Sequence, residues 1–255
     1  DNGIIFEARD AADAAQIRGR LLPLAQHINQ GLAQCGFTLC KGNIMAGNPE
    51  LCLSRAEWAR RFAAFIREAT PENLLASSIY FDLRVVWGEE RACEQLRHSI
   101  LEQVADNRLF QRMMAENALR QRPPVGRFRE FVLTRKGDDK AATLDLKVQG
   151  LTPFVDGARL LALANGITAI NTLERLRELV NRQVIEPLDG AAYEEAYHFI
   201  QQTRMQQHQL QSRQNLAYSN RVDPDSLNHL DRRILRESLR QAQRLQSSLA
   251  LRYQL

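Results

Sequence analysis

The sequence predicts an α+β fold that is mostly helical, with a partial α/β domain followed by an all-α helical bundle. Strand-like segments lie only in the first third of the chain, where strand, helix and strand follow one another as in α/β proteins. From Gly88 onwards, apolar residues recur at helical spacing. Glycine and proline are sparse, at 13 and 8 of 255 residues, which favours helix further.

The chain begins with the short apolar segment GIIFEA (Gly3 to Ala8), which has the length and composition of a buried strand. A helix is predicted next, because apolar residues recur on one face at Ile17, Leu21, Leu24, Ile28 and Leu32. Gly36 ends this helix, and FTLC (37–40) is predicted to be the second strand. KGNIMAGNPELCLS (41–54) then has the glycines and proline of a loop.

Two helix starts follow the loop. Ser54 and Glu57 have the spacing of a capping box, and Thr70 followed by Pro71 is an N-cap with proline at the first helical position. SSIYFDLRVVWG (77–88) is apolar at its centre and fits either a strand or a buried helix, which periodicity does not decide. We place a domain boundary near residue 90.

The part of the chain beyond Gly88 is predicted to be an antiparallel helical bundle. A loop is expected at RKGDDKAA (135–142), and VDGARLLALANG (155–166) reads as a buried helix with a glycine C-cap. A long polar helix is expected from Ala191, with a break at VDPDSLN (222–228). The last helix has apolar residues near heptad intervals, at Leu227, Leu230, Ile234, Ala242, Leu245 and Leu249.

Composition argues against several classes of function. The net charge of +4 comes without a concentrated basic tract, which argues against nucleic acid as a partner. The four cysteines have no CxxC spacing, so we expect reduced thiols and no zinc site. No apolar run approaches the roughly 20 residues that cross a bilayer. We therefore expect a cytoplasmic protein that does not bind membranes.

Six segments in a fixed order resemble a bacterial family of signal-transduction nucleotidyltransferases. In the first third these segments are DNGIIFE, LCKGNIMAGNPELCLSRAEW and SSIYFDLRVVWG. Beyond it they are RPPVGRFREF, LDLKVQGLTPFVDGARLLALANGI and NTLERL. The family is distantly related to polymerase-β-like nucleotidyltransferases and to the uridylyltransferase that modifies the nitrogen regulatory protein. Its members often carry cyclic-nucleotide-binding and CBS modules upstream. The resemblance implies that residues 1–90 are the C-terminal part of a nucleotidyltransferase domain and that residues 91–255 are its helical substrate-binding domain.

Asp1 stands just before the predicted strand and is the candidate metal ligand. Enzymes of this class hold a divalent cation between two carboxylates, and residues i and i+2 of a strand share one face. The resemblance makes Asp1 the second carboxylate and Mg²⁺ the expected cofactor. It also implies that the first carboxylate and a Gly-Ser stretch would precede Asp1, so that the chain is truncated. The alternative is a solvated aspartate in an Asn-Gly hairpin turn.

Four further residues in the first 90 are candidates for catalysis or nucleotide binding. The resemblance implies that Asp82 is a third carboxylate that acts as a base on the acceptor hydroxyl. The alternative is a structural pair with Arg84 or a helix cap. Lys41, Asn43 and Asn48 lie on a glycine-bearing loop, where backbone N–H groups and a cation can bind phosphates. An ordinary polar turn would have the same composition.

The helical domain has a group of charged residues around the apolar LLALA segment, namely Asp145, Lys147, Asp156 and Arg159, with Arg175 on the next helix. Charged groups beside an apolar helix either pair internally or face a cleft. We expect a polar substrate cleft, with internal salt bridges as the alternative.

The resemblance implies Mg²⁺-dependent transfer of a nucleoside monophosphate from an NTP to an acceptor hydroxyl, such as that of a tyrosine on a regulatory protein. We expect the chain alone to be inactive, because it has one of the two metal-binding carboxylates. A second hypothesis is a non-catalytic regulatory module that binds a ligand or a protein. A third is a structural homodimer built on the C-terminal helix.

Overall fold

The computed structural model describes residues 1–126, 131–133 and 142–255. Part of RPPVGRFREF (residues 127–130) and nearly all of the predicted loop at 135–142 lie outside the described residues. The chain divides into two compact units, Asp1–Gln103 and Val104–Leu255. The domain boundary near residue 90 stays a prediction; Glu90 begins a helix that runs to Ala105.

The first unit has a strand–helix–strand core followed by helices. Its elements are β1 (Ile4–Phe6), α1 (Ala11–Gln34), a 3₁₀ turn (Pro49–Leu51), β2 (Cys52–Ser54), α2 (Arg55–Arg67), α3 (Pro71–Tyr80) and α4 (Glu90–Ala105), which ends in the second unit. The two strands pair in parallel, with Ile4 opposite Cys52 and Phe6 opposite Ser54. Parallel neighbours need a long crossover, which α1 and the loop after it provide. The predicted first strand and α/β order are confirmed.

The predicted second strand at FTLC is wrong. Residues 37–40 have no strand, and the partner of β1 is Cys52–Ser54, inside the segment predicted to be a loop. Phe37 and Leu39 remain 67% and 47% exposed, so these apolar side chains do not join the core of the unit. Leu51 and Cys52 are fully buried instead. Burial therefore selects the later segment as the strand.

Helix α1 is confirmed, but only the N-terminal part of its predicted apolar stripe, Ile17 and Leu21, is partly buried. Its N-cap Asp10 accepts a hydrogen bond from the Asp13 N–H at 2.9 Å, and its buried residues are Ala14, Ala25 and Asn29. Three residues of the predicted face remain largely exposed: Leu24 at 55%, Ile28 at 50% and Leu32 at 40%. The small residues, and not the leucines, form the packed face of this helix.

Both predicted caps are present in the first unit. Ser54 and Glu57 form the capping box of α2, and the Thr70 side chain accepts from the Asn73 N–H at the start of α3. The open question about SSIYFDLRVVWG is answered by α3, which continues to Tyr80 as a helix. Residues 81–88 then form neither helix nor strand. The pair Asp82 and Arg84 therefore does not share a strand face.

The second unit is a helical bundle with a two-stranded ribbon. Its elements are α5 (Arg108–Ala118), β3 (Leu144–Asp145), a π-helical turn (Leu146–Leu151), α6 (Thr152–Ala164), α7 (Thr172–Asn181), α8 (Pro187–Arg213), β4 (Arg221–Val222), a 3₁₀ turn (Pro224–Ser226) and α9 (His229–Tyr253). β3 and β4 pair antiparallel, with Asp145 opposite Arg221. The mostly helical α+β fold is confirmed. Within the described ranges, no helix is both long and apolar enough to cross a membrane.

Helix α6 lies at the centre of this bundle and packs against α5, α7 and α9. Its apolar residues Phe154, Leu160 and Ala162 are fully buried. Gly166 follows the helix with a φ of +65°, and the Ile167 N–H returns to the Ala162 carbonyl at 2.9 Å. This is the predicted glycine C-cap, which requires a left-handed residue at that point.

The heptad-like spacing of α9 is explained mainly by packing within the second unit. Ala242, Leu245 and Leu249 are fully buried, and α9 packs against α5, α6 and α8. Leu230, near the start of the helix, is exposed. The homodimer stays a prediction.

Candidate functional site

The start of β1 is fixed by hydrogen bonds of Asn2. Its backbone N–H donates to the Ile44 carbonyl at 3.1 Å, and its side-chain Oδ1 accepts from the Ala46 N–H at 2.7 Å. Its Nδ2 donates to Oδ1 of Asn29, a buried residue of α1, at 3.1 Å. Neither Asn2 nor Gly3 has a positive φ, so the hairpin-turn alternative for this segment is wrong. Asn2 joins the strand start, α1 and the loop that begins at Lys41.

This loop, Lys41–Asn48, is closed by its own asparagines. The Asn48 Nδ2 donates to the Asn43 carbonyl at 3.2 Å, and its Oδ1 accepts from the Glu50 N–H at 3.0 Å. Asn43 has a φ of +55°, a conformation that asparagine tolerates better than most residues. At Gly47 an added Cβ would lie 2.9 Å from Cγ of Gln26 on α1, so any larger residue would have to displace the Gln26 side chain. Lys41 is exposed.

Backbone N–H groups of this loop converge on the thiol of Cys40, the residue just before it. The N–H of Ile44 has the largest effect and lowers the pKa of Cys40, while burial opposes it. The Gly42 N–H, the positive charge of the N-terminus and the Asn43 N–H, which donates to the Cys40 carbonyl at 3.0 Å, lower this pKa further. Successive backbone N–H groups of a turn can form an anion-binding nest. The exposed Lys41 stands beside these groups, and phosphate binding by the loop stays a prediction.

An arginine–aromatic cluster connects the same loop to α2 and α3. The Arg61 guanidinium lies 5.8 Å from the ring centroids of Trp58 and Phe65 and 5.9 Å from that of Tyr80. Arg61 also donates to the carbonyl of Glu50, just after the loop, and lies 3.3 Å from its carboxylate. Burial raises the pKa of Tyr80, as do the nearby Cys40 and Glu50, while Arg61 opposes them. The Tyr80 hydroxyl is therefore held neutral beside the loop.

Trp58 ties this cluster to β1. Its indole Nε1–H donates to the Ile4 carbonyl at 2.9 Å. A Cβ at Gly3 would meet the Leu51 carbonyl at 3.1 Å and the Trp58 ring at 3.4 Å. The close approach at Gly3 therefore fixes the backbone two residues from Asp1.

The two predicted catalytic carboxylates occupy different places in the first unit. Asp1 is exposed and adjacent to Asn2, so it lies at the same strand start as the loop contacts. Asp82 is half-buried two residues after α3 and takes part in an interaction of its own. Their predicted roles as metal ligand and base stay predictions.

The residues present do not make a complete Mg²⁺ site. Among the described residues, no three histidine, cysteine, aspartate or glutamate side chains gather in a metal-binding group. Mg²⁺ in nucleotide enzymes is held by one or two carboxylates together with phosphate oxygens. Asp1 offers one such carboxylate at the start of β1.

In the second unit, the predicted cleft residues form local pairs. Asp145 accepts from the N–H groups of Lys147 and Val148, both at 2.9 Å, and so caps the π-helical turn. Asp156 and Arg159 form a salt bridge of 2.8 Å in which the arginine is buried. Arg175 is also buried, and its Nε donates to the Ala169 carbonyl at 2.8 Å. The Asp156–Arg159 pair matches the salt-bridge alternative, whereas Asp145 and Arg175 bond backbone groups, and the cleft stays a prediction.

Sequence reasoning missed Asn2, Cys40 and Arg61 as site residues. A signal for Asn2 came from Asn29, an asparagine on the predicted first helix that is buried in the structure. A buried amide needs a polar partner, and Asn2 is that partner. Cys40 gave no such signal although Gly42 and Ile44 follow it closely, and the contacts of Arg61 with Tyr80 and Glu50 span more than ten residues.

The first unit has a parallel strand pair joined through α1, and the second unit is a helical bundle; two nucleotidyltransferase family models match these parts of the chain. The chain belongs to the family described as "Putative nucleotidyltransferase substrate binding domain", whose model matches residues 108–253, more than half of its length. A second family model, "Putative nucleotidyltransferase DUF294", matches residues 1–72. The resemblance inferred from the sequence is confirmed. Neither the curated proteins nor the solved structures gave a significant match.

Proposed function

We propose that the first unit binds the triphosphate of an NTP at the Lys41–Asn48 loop, for transfer of the nucleotidyl group to an acceptor hydroxyl. The glycine-bearing loop supports this proposal: the exposed Lys41 stands beside the backbone N–H groups of Gly42 and Ile44, which lie near the Cys40 thiol and lower its pKa, and such donors can bind a phosphate oxygen. The expected cofactor is Mg²⁺, to which Asp1 offers one carboxylate. The acceptor is a hydroxyl on a regulatory protein, and the process is signal transduction in the cytoplasm.

Roles in this proposal follow from position. Lys41 supplies a positive charge to the phosphates, whereas Asn43 and Asn48 shape the loop through the bond between them. Asp82 is the proposed base. The proposed substrate cleft of the second unit contains Asp145, Lys147, Asp156, Arg159 and Arg175. We expect the 255 residues alone to bind NTP without transferring it, because the described residues offer Asp1 as a single carboxylate at the strand start.

Alkylation of Cys40 tests the binding step on the chain itself. The wild-type chain is treated briefly with iodoacetamide, with and without NTP and Mg²⁺, and each cysteine is quantified by mass spectrometry. We expect bound NTP to slow alkylation of Cys40 severalfold. Cys35 is exposed and lies outside the loop, so it serves as the internal control and should react at an unchanged rate. If none of the NTPs changes the rate at which Cys40 is alkylated, the proposed binding at this loop is wrong.

Transfer itself is tested on the full product of the gene. Incubation with α-labelled NTPs should place label on a protein acceptor, and Asp1→Asn should abolish the labelling. If the full product protects Cys40 with NTP but transfers no label to any protein, the second hypothesis, a regulatory ligand-binding module, replaces the enzyme.

A further inference from the structure

We propose that Asn2 is a positioning residue that holds the Lys41–Asn48 loop in its phosphate-binding conformation. This inference rests on the proposed function of the loop. Asn2 acts through its neighbours, and no contact with the substrate is assigned to it.

The contacts of Asn2 reach both the loop and a rigid support. Two loop residues are bound directly: the Ile44 carbonyl accepts from the Asn2 backbone, and the Ala46 N–H donates to its side chain. The third bond reaches Asn29, which is buried on α1. The side-chain amide is thus used at both ends, as donor and as acceptor, which aspartate, serine or alanine cannot reproduce without a rearrangement.

The position of Ile44 and Ala46 explains how these bonds control the nest. The Ile44 N–H has the largest effect on the pKa of the nearby Cys40, and the carbonyl of Ile44 accepts from the Asn2 backbone N–H, while the Asn2 side chain holds the Ala46 N–H two residues later. Ala46 is buried and lies two residues later. Fixing Ile44 and Ala46 sets the direction of the peptide groups between Gly42 and Ile44. Without the Asn2 side chain the Ala46 end of the loop would lose its hold, and the loop would have to be ordered at the expense of NTP binding.

Hydrogen exchange of the Ala46 amide measures the hold of Asn2 on the loop directly. In Asn2→Ala this amide loses its acceptor, and we expect it to exchange about tenfold faster, as for the loss of one net hydrogen bond. Asn2→Asp keeps an oxygen for the Ala46 N–H and should keep slow exchange. Asn73→Ala is the matched control, because it removes one side-chain bond, to the Glu68 carbonyl, elsewhere in the same unit.

The consequence for the ligand is measured by the alkylation assay described above. We expect Asn2→Ala to need about tenfold more NTP for half-protection of Cys40, while Asn73→Ala matches the wild type. Urea unfolding followed by tryptophan fluorescence checks that the unit stays folded. If Asn2→Ala does not fold, Asn29→Ala removes the support on α1 instead and should speed exchange of the Ala46 amide about threefold.

The outcomes separate this inference from the proposed function. Unchanged exchange at Ala46 in Asn2→Ala would show that Asn2 does not hold the loop. Faster exchange with unchanged NTP protection would show that the held conformation is irrelevant to binding, and either result overturns the inference. If NTP fails to protect Cys40 in the wild type, the proposed function fails and the positioning role falls with it, even where the exchange data show that Asn2 orders the loop.

Discussion

The two units bury comparable apolar helices to very different extents. In the second unit, Leu239, Leu245 and Leu249 of α9 are fully buried against neighbouring helices. In the first unit, Leu24 and Ile28 of α1 remain at least half exposed, although they recur at the same helical spacing. Apolar periodicity therefore predicted both helices correctly, but it did not predict what covers them.

The first unit compensates with specific polar contacts. Arg18 of α1 donates through Nε to the Cys52 carbonyl at 2.7 Å and through Nη2 to both oxygens of Glu57 at 2.6 Å. One arginine thus joins α1, β2 and the capping box of α2. We infer that α9 is held in the second unit chiefly by burial, whereas α1 is held in the first unit chiefly by directed bonds.

A pair of leucine truncations tests this difference most strongly. Leu245→Ala removes a fully buried side chain that packs on Gly157, and we expect it to lower the free energy of unfolding of the second unit by about 2–5 kcal/mol. Leu24→Ala in the first unit should change stability by less than about 0.5 kcal/mol, because the side chain is exposed.

The two units can be followed separately in one urea titration. Both tryptophans, Trp58 and Trp87, belong to the first unit and report its unfolding by fluorescence. Circular dichroism reports mainly the helices of the second. Equal losses of unfolding free energy in the two variants would contradict the contrast in burial. So would a Leu245→Ala variant in which only the tryptophan transition, which reports the first unit, is shifted.

Local signals of the fold could be read from the sequence, whereas long-range pairing could not. The capping box at Ser54 and the C-cap at Gly166 depend on residues a few positions apart, and both predictions are confirmed. The partner of β1 depends on which of two apolar segments is buried, and a three-residue strand has no periodicity that reveals this. The same limit applies to the site: the loop was visible from its glycines, but the bonds of Asn2 span more than 25 residues.

A pair of glycine substitutions sharpens the comparison through packing. Gly190, near the start of α8, faces Val180 so closely that an added Cβ would lie 2.3 Å from its methyl group. Because a β-branched side chain has little freedom to move aside, we expect Gly190→Ala to destabilise the second unit by about 1–3 kcal/mol. Gly19 of α1 has open space around it, so Gly19→Ala should stabilise the first unit by about 0.5–1 kcal/mol.

The two substitutions should change the free energy of unfolding in opposite directions, because Gly190 is closely packed and Gly19 is not. Thermal or urea midpoints, read by circular dichroism for Gly190→Ala and by tryptophan fluorescence for Gly19→Ala, give the comparison. A stabilising Gly190→Ala would mean that α7 and α8 adapt freely and that the second unit is less tightly packed than its burial indicates.

Acid should weaken the first unit through Glu57. Burial acts to raise the pKa of Glu57, but the hydrogen bonds from Arg18 and Ser54 outweigh it, so the pKa is lowered. A carboxyl whose pKa is lower in the folded state stabilises that state above its unfolded pKa of about 4.3 and loses this contribution as the pH falls through the folded value.

We expect Glu57→Gln to cost the first unit about 1–2 kcal/mol at pH 7, since it weakens one charged hydrogen bond and one helix cap. In urea titrations followed by tryptophan fluorescence, the gap between wild type and Glu57→Gln should narrow from pH 5 to pH 3. Glu72→Gln, at an exposed position of α3, is the control and should show little difference at any pH. If the difference in unfolding free energy between wild type and Glu57→Gln is constant with pH, the charge of Glu57 beside Arg18 contributes little to the stability of the first unit.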